Sequence, residues 1–310
     1  MANNILNSTV LVTGGTGFLG SRAVFQLKKY RLKKIIVLLN ISPKDRIRGV
    51  TYIKCDLCDE FAVEKIKNRL KGVDYVLHAA GVIPGFSGPG KPEQQDFVKN
   101  TAITVSLCKI LPKDIKGFVY VSTMDVYGVP LYLPIDEKHS ISPLTYYSLG
   151  KFASEEFLRI FLSGTKTHFT VLRYSHIYGP GEAKIKVIPV FIDKVLKEEA
   201  PVFYGDGADR RDYIYVDDAA RAMVLGLNSG FDGVVNIGSG APRSIKSVFE
   251  KINRICKKDI KPVFRPRQKA KYDICCDIKL AKRKIGFSPE VDFIEGLKRH
   301  IDYCMAEIKR

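Results

Sequence analysis

The stretch Thr9-Val10-Leu11-Val12-Thr13-Gly14-Gly15-Thr16-Gly17-Phe18-Leu19-Gly20 constrains the fold of this chain more than any other. Its first part is a short, β-branched apolar run, the pattern of a buried strand. Glycines follow at once, and residues 21–30 then read as an amphipathic helix. Strand, glycine turn and helix together are the context that a dinucleotide-binding fingerprint needs. Gly14 and Gly17 permit the tight turn. The backbone around Thr16, Phe18 and Leu19 can then approach a pyrophosphate at the helix N-terminus.

Further strands are expected at residues 34–39, 49–54, 73–77, 117–122 and 168–174, with helical patterns at 61–70, within 91–111 and at 145–163. This alternation implies an α/β fold, a Rossmann-type doubly wound parallel sheet covered on both faces. Beyond residue 175 the alternation breaks up. A polar turn (205–212), a strand (213–216), a helix (217–227), a strand (234–237) and helices at 244–257 and 293–308 follow. We therefore expect residues 1–175 to form an NAD(P)-binding domain. Residues 176–310 should form mainly a smaller substrate-binding lobe, with segments at about 209–238 returning to the first domain.

The strand ends carry the candidate ligand contacts. An acidic residue about 20 residues past the turn would grip the ribose 2′-hydroxyl of NAD. Here Leu39-Asn40-Ile41-Ser42 offers none, and Lys44, Arg46 and Arg48 lie just beyond. That tilts the expected cofactor from NAD towards NADP. After the fourth strand, His78-Ala79-Ala80-Gly81 supplies small residues past which a flat ring or backbone can run, with His78 packed at the strand end. Residues 84–92 are rich in glycine and proline and are the expected mobile loop over the cleft.

Tyr147-Ser148-Leu149-Gly150-Lys151 is the candidate reactive element. Positions i and i+4 share a helix face, so Tyr147 and Lys151 can point into one cleft. A phenol has a pKa of about 10. A nearby ammonium favours the phenolate and would make Tyr147 a usable base. Ser122, Thr123 and Asp125, at the end of the fifth strand, are expected to face the same cleft.

Composition excludes several classes. Of 310 residues, 45% are hydrophobic and 27% charged, which suits a globular protein. No apolar run approaches bilayer length, and residues 1–8 have no signal-peptide layout, so a cytoplasmic location is expected. The net charge of +17 raises the question of nucleic acid, but the lysines are spread along the chain without a dense basic tract. An anionic substrate would benefit from that field. The seven cysteines are odd in number and scattered, so no disulfide framework is expected. Cys55 and Cys58 have redox or metal spacing without a second ligand pair and are taken as structural; no metal is expected.

In order along the chain, the glycine turn at 13–20, Asp56-Leu57, His78-Ala79-Ala80-Gly81, the Tyr147–Lys151 element and Arg211-Asp212-Tyr213-Ile214-Tyr215-Val216-Asp217-Asp218 carry a resemblance. The chain resembles the extended short-chain dehydrogenase/reductase family, in its nucleotide-sugar epimerase/dehydratase branch. The resemblance covers nearly the full length and implies NAD or NADP and a nucleoside diphosphate sugar as ligands. It implies that Thr123 bonds the sugar C4 hydroxyl, that Tyr147 is the acid or base, and that Lys151 holds the nicotinamide ribose and depresses the Tyr147 pKa. It places Asp56 and Leu57 at the adenine, Ala79, Ala80 and Gly81 near the cofactor phosphates and ribose, and Asn100 in the active-site wall. Arg211 and Arg267 stand where arginines clamp the substrate pyrophosphate; the motif around Arg211 favours that role over a surface position, whereas Arg267 can equally be a surface residue. A homodimer paired through the helices at 91–111 and 145–163 is also implied.

Two departures bear on the reaction. His176 stands where many members carry Asn. Met124-Asp125 stands where similar 4,6-dehydratases carry Asp-Glu; Met124 cannot donate a proton, whereas Asp125 occupies the place of the C5 base. The leading expectation is a 4-epimerase working through a 4-keto sugar. A 4,6-dehydratase and an NADPH-dependent 4-ketosugar reductase are the enzyme alternatives. A nucleotide-sensing or RNA-associated protein is the alternative of another class.

Overall fold

The computed structural model describes residues 4–42, 46–83, 93–267 and 270–308. Strands β1 (Thr9–Thr13), β2 (Lys34–Leu39), β3 (Thr51–Lys54), β4 (Tyr75–His78), β5 (Gly117–Thr123) and β6 (His168–Tyr174) join the Gly233–Ile237 strand in one sheet. Its order is Gly233–Ile237, β6, β5, β4, β1, β2, β3, and every pairing in it is parallel. The strand order reverses beside β1. In such sheets the ligand crevice opens there, beyond the carboxyl ends of the strands.

Alternation along β1 shows why both faces are covered. Val10 and Val12 point to one layer, with Ala23, Val24 and Leu27 of α1 (Phe18–Leu27). Leu11 points to the other, with Val63 and Ile66 of α2 (Glu60–Ile66), Leu107 of α3 (Gln94–Ile110) and Leu158 of α4 (Tyr146–Phe161). Full burial of each such side chain is worth about 1.5–3 kcal/mol. The two layers, not helix propensity, therefore hold the helices in place.

A second core lies beyond the sheet. It joins α5 (Val187–Leu196), α7 (Ile245–Ile255) and α9 (Phe293–Ile308) around Phe191, Ile192, Phe249 and Leu297. Between them in sequence, α6 (Val216–Ser229) and α8 (Lys279–Ile285) pack on the α1 face of the sheet. Short strand pairs stitch this region together: His176–Tyr178 with Tyr213–Tyr215, Arg210–Arg211 with Arg243–Ser244, and Val202–Tyr204 with Val263–Arg265.

Several elements differ from the sequence reading. α1 begins three residues before the expected 21, inside the glycine turn. The expected helix at 61–70 is an α-helix ending at Ile66, followed by a 3₁₀ turn, Lys67–Leu70. Of the short strands only Tyr213–Tyr215 agrees with an expected one (213–216); the others, and helices α5 and α8, are not among the expected elements. α5 is apolar nearly all round and holds Pro189 in its first turn, where a missing N–H costs no helical bond. The 84–92 loop and Lys44 fall outside the described residues. Among the described helices, none is long and apolar enough to cross a membrane.

Candidate active site

The cofactor wall is assembled from close backbone approaches. Gly14 has φ +68°, and a Cβ there would lie 2.7 Å from the Ala80 nitrogen and 2.8 Å from the Ala79 carbonyl. A Cβ on Gly20 would lie 2.1 Å from the Gly14 oxygen, so the first turn of α1 sits directly on the loop. Gly17 caps that helix without a side-chain bond, and the first turn holds no acidic residue. Backbone N–H groups at such an end favour an anion. Thr16 is exposed beside them, while Phe18 and Leu19 pack part-buried against the second core.

The loop after β4 is held from both sides. Ala80 N–H donates to Thr13 Oγ1 (3.1 Å), which also bonds His78 Nδ1 (2.6 Å); His78 Nε2 reaches Thr104 Oγ1 (3.0 Å). Burial, with the nearby Lys151 charge, pushes the His78 pKa down to about 3, so it is a neutral packing residue as expected. Asn100 accepts from Val82 N–H (3.1 Å) and donates to Val82 O (3.0 Å) and Asp96 O (2.7 Å). A Cβ on Gly81 would strike Asn100 Oδ1 at 2.7 Å. At the far end, exposed Asn40 donates to Asp56 Oδ2 (3.2 Å), and Leu57 is buried in the core. Of the basic residues beyond β2, the Arg46 guanidinium lies 5.5 Å from the Tyr52 ring centroid, and the Arg48 carbonyl accepts from Lys28.

Helix α4 carries the reactive pair. Thr145 caps it by accepting from Ser148 N–H (3.1 Å), and Ser148 Oγ accepts from Thr145 N–H (3.2 Å), which fixes the first turn. Tyr147 is half-buried, whereas Lys151 is only 4% exposed, its Nζ 4.3 Å from the Tyr120 ring centroid. Burial pushes the Lys151 pKa down to about 7, and the Glu155 carboxylate pulls it back up. The expected depression of the Tyr147 pKa is corrected. Burial, then the Asp125 and Asp96 carboxylates, push that phenol well above its usual value.

At the end of β5, Thr123 is 8% exposed and its Oγ1 accepts from Asp125 N–H (3.2 Å). Asp125 is exposed and acts on both Tyr147 and His176, so it reaches the cleft. Met124 is 3% exposed and packs with Val126, Tyr127 and Ile135. The expectation for Ser122 is corrected, because successive strand side chains alternate. Its hydroxyl is buried and donates to Glu155.

The opposite wall comes from the short strand pairs. Register sets His176 beside Tyr213, their rings 5.8 Å apart, and His176 N–H donates to Asp212 O (3.1 Å). Asp212 is fully buried and accepts from Ser239 N–H (2.7 Å), Ser239 Oγ (2.6 Å), Gly240 N–H (2.9 Å) and Cys276 N–H (3.1 Å). It thereby anchors Arg211, whose guanidinium lies 4.6 Å over the Tyr272 ring centroid and donates to the Tyr272 carbonyl (2.6 Å). Arg267 is bound differently, to Asp209 (2.7 Å) and Asp206 (2.8 Å). The sequence reading missed Glu155, Asp206, Asp209 and Tyr272. Only Glu155 had a local signal, its position one turn after Lys151.

A parallel sheet with a glycine-lined crevice, an anion-ready helix end and a Tyr–Lys pair at the strand ends defines a dinucleotide-dependent enzyme fold. Residues 10–238 match the NAD dependent epimerase/dehydratase family. The chain is 35% identical over 309 residues to a Methanocaldococcus jannaschii protein named "Putative UDP-glucose 4-epimerase", covering 95% of this chain and 97% of that one. It also resembles the crystal structure of UDP-glucose 4-epimerase with UDP-glucose from Thermotoga maritima, at 30% identity and TM-score 0.87, covering 97% and 99% of the two chains. A third likeness is to the Thermus thermophilus UDP-glucose 4-epimerase complex with NAD, at 27% identity and TM-score 0.82, covering 95% and 98%. The chain belongs to the NAD dependent epimerase/dehydratase family and is an enzyme of that class.

Proposed function

We propose that the chain is a cytoplasmic nucleotide-sugar 4-epimerase that inverts C4 of a nucleoside diphosphate hexose through a 4-keto sugar. The observation that carries this over elimination of water is Met124. It occupies the place of the acid that elimination needs, and it is packed into the core. The residues present fit a dinucleotide, since the missing Cβ atoms of Gly14 and Gly20 let the loop pack against the end of β4 and the first turn of α1, and that helix end keeps its backbone N–H groups free of any side-chain cap or acidic neighbour. Residues 14–19 would hold its pyrophosphate, Asp56 and Leu57 its adenine, Ala79 to Gly81 and Asn100 its central part, and Lys151 its nicotinamide ribose. NAD is favoured over NADP, because the Asp56 carboxylate behind Asn40 would repel a 2′-phosphate.

Bound in its oxidised form, the dinucleotide supplies a hydride acceptor and a positive charge. Tyr147 takes the proton of the C4 hydroxyl as the C4–H bond gives up its electron pair. It returns that proton when the sugar has turned its other face. Burial and the Asp125 and Asp96 carboxylates raise its pKa, so positive charge entering the cleft would favour loss of the phenolic proton. Thr123 would orient the C4 oxygen, and Arg211, Arg267 and His176 the diphosphate side of the substrate. UDP-glucose, which the Thermotoga maritima enzyme holds, is the first substrate to test. Exposed Val98 on α3 and Leu149, Ile160 and Phe161 on α4 support a homodimer through these helices.

Asp125 supports a second reading, a 4,6-dehydratase in which it takes the C5 proton. The test is liquid chromatography and mass spectrometry after incubating the protein with UDP-glucose, dTDP-glucose and NAD. A product of unchanged mass at a new retention time is expected. Loss of one water would assign the dehydratase, and an unaltered panel would overturn both.

A further inference from the structure

Lys151 must keep its proton while buried. Around it stand His78 of β4, Tyr120 of β5, and Tyr147 and Glu155 of α4, with Asp96 of α3 acting on Tyr147. His78 is neutral, and burial holds the Tyr120 phenol protonated. Glu155 is therefore the anion on its own helix face, one turn below Lys151 and 3% exposed.

Glu155 is held from two strands, and the network extends from them to Tyr127 and Asn236. Arg173 of β6 binds its carboxylate through Nε (3.2 Å to each oxygen) and Nη2 (2.6 Å), and Ser122 of β5 donates to it. Arg173 Nη1 bonds the Tyr127 hydroxyl (3.0 Å), which donates to Asn236 Oδ1 (2.8 Å). A purely structural ion pair would not need to lie under the reactive lysine. Buried pairs add little net stability over apolar packing.

We propose that Glu155 is a positioning residue for the reaction, whose carboxylate, fixed by Arg173 and Ser122, keeps the proton on Lys151 so that an ammonium faces Tyr147 and the cofactor ribose. This rests on the roles given above to Tyr147 and Lys151. Glu155→Gln removes the charge and keeps the shape. Its consequence is that Lys151 becomes an amine at lower pH, and the alkaline limb of kcat/KM moves down with it.

The direct readout needs neither cofactor nor sugar. Competitive acetylation of Lys151 by acetic anhydride, followed across pH by peptide mass spectrometry, gives the midpoint of its titration. In Glu155→Gln we expect about tenfold weaker proton binding at Lys151. Glu155→Asp, which keeps the charge, should restore most of it. Tyr127→Phe loosens the same network without touching the charge; it should lower Tm and leave the midpoint in place. Should Glu155→Gln fail to fold with Arg173 stranded, Glu155→Gln/Arg173→Met removes the pair together and should shift the midpoint in the same direction. An unmoved midpoint in a folded variant lacking Glu155, or an equal shift in Tyr127→Phe, overturns the inference whatever the reaction is. A shifted midpoint in a protein that turns over no sugar nucleotide would count against the proposed function alone.

Discussion

The two walls of the cleft are built on different principles. The cofactor wall is backbone against backbone: Gly14 and Gly20 touch neighbouring main chain, and Asn100 clamps Val82 on both its polar groups. The substrate wall is side chains on short strands and loops, with Arg211 laid over Tyr272 and Arg267 tied to two carboxylates. A backbone wall admits one shape of ligand and tolerates no change. A side-chain wall can be retuned by one substitution, which suits a family that shares a cofactor and varies its sugar.

The largest expected effect breaks the first wall. Gly14→Ala places a Cβ at positive φ against the Ala79–Ala80 peptide. Strain of about 1–3 kcal/mol at such a site should weaken dinucleotide binding about 10- to 100-fold, read by fluorescence titration. Affinity for UDP-glucose should change far less. Equal losses for both ligands would mean that the walls are not separate.

Within the substrate wall the two arginines should differ. Arg211 bonds carbonyls and keeps its charge available to an anion, so Arg211→Ala should weaken UDP-glucose binding about tenfold or more. Arg267 already faces Asp206 and Asp209 with its side chain partly exposed, so Arg267→Ala should cost about threefold or less. Calorimetry at two salt concentrations decides between them. A larger loss at Arg267 would show that it leaves its carboxylates to meet the substrate.

A separate effect, on stability and its pH dependence, belongs to the second core. Glu182 is buried, its Oε2 lacks a hydrogen-bond partner, and His300 Nδ1 lies 3.9 Å away. Burial raises the Glu182 pKa to about 8 and lowers that of His300 to about 4. A carboxyl whose folded pKa exceeds its unfolded value favours folding at low pH. That favour is lost progressively as pH rises from about 4.5 to about 8. Glu182→Gln removes this dependence, so its Tm relative to the parent should rise steadily between pH 5 and pH 8. A constant difference would place Glu182 in contact with water.

How much was legible follows from where the information lies. The β2, β6 and α9 boundaries agree with the sequence reading because each element carries its own period and stop signals within a few residues. Tyr147 and Lys151 meet on one face for the same local reason. The Tyr147 pKa was misread because desolvation and the carboxylates of Asp96 and Asp125 come from other elements. Ser122 was misplaced because proximity to the strand end was read without the strand's alternation. Helix α5 was missed because its sequence is apolar apart from Asp193 and Lys194 and so lacks the polar contrast that marks a surface helix.

The sequence by itself determined the parallel sheet, the glycine crevice and the Tyr147–Lys151 pair, since strand period, turn chemistry and helix spacing are properties of neighbouring residues. Only the tertiary structure decided which charges meet. Glu155 finds Arg173 across α4 and β6, Asp212 gathers donors from residues 239, 240 and 276, and Arg267 is drawn to Asp206 and Asp209. Burial and pairing depend on distance in space, and the fold brings those residues together from segments far apart along the chain.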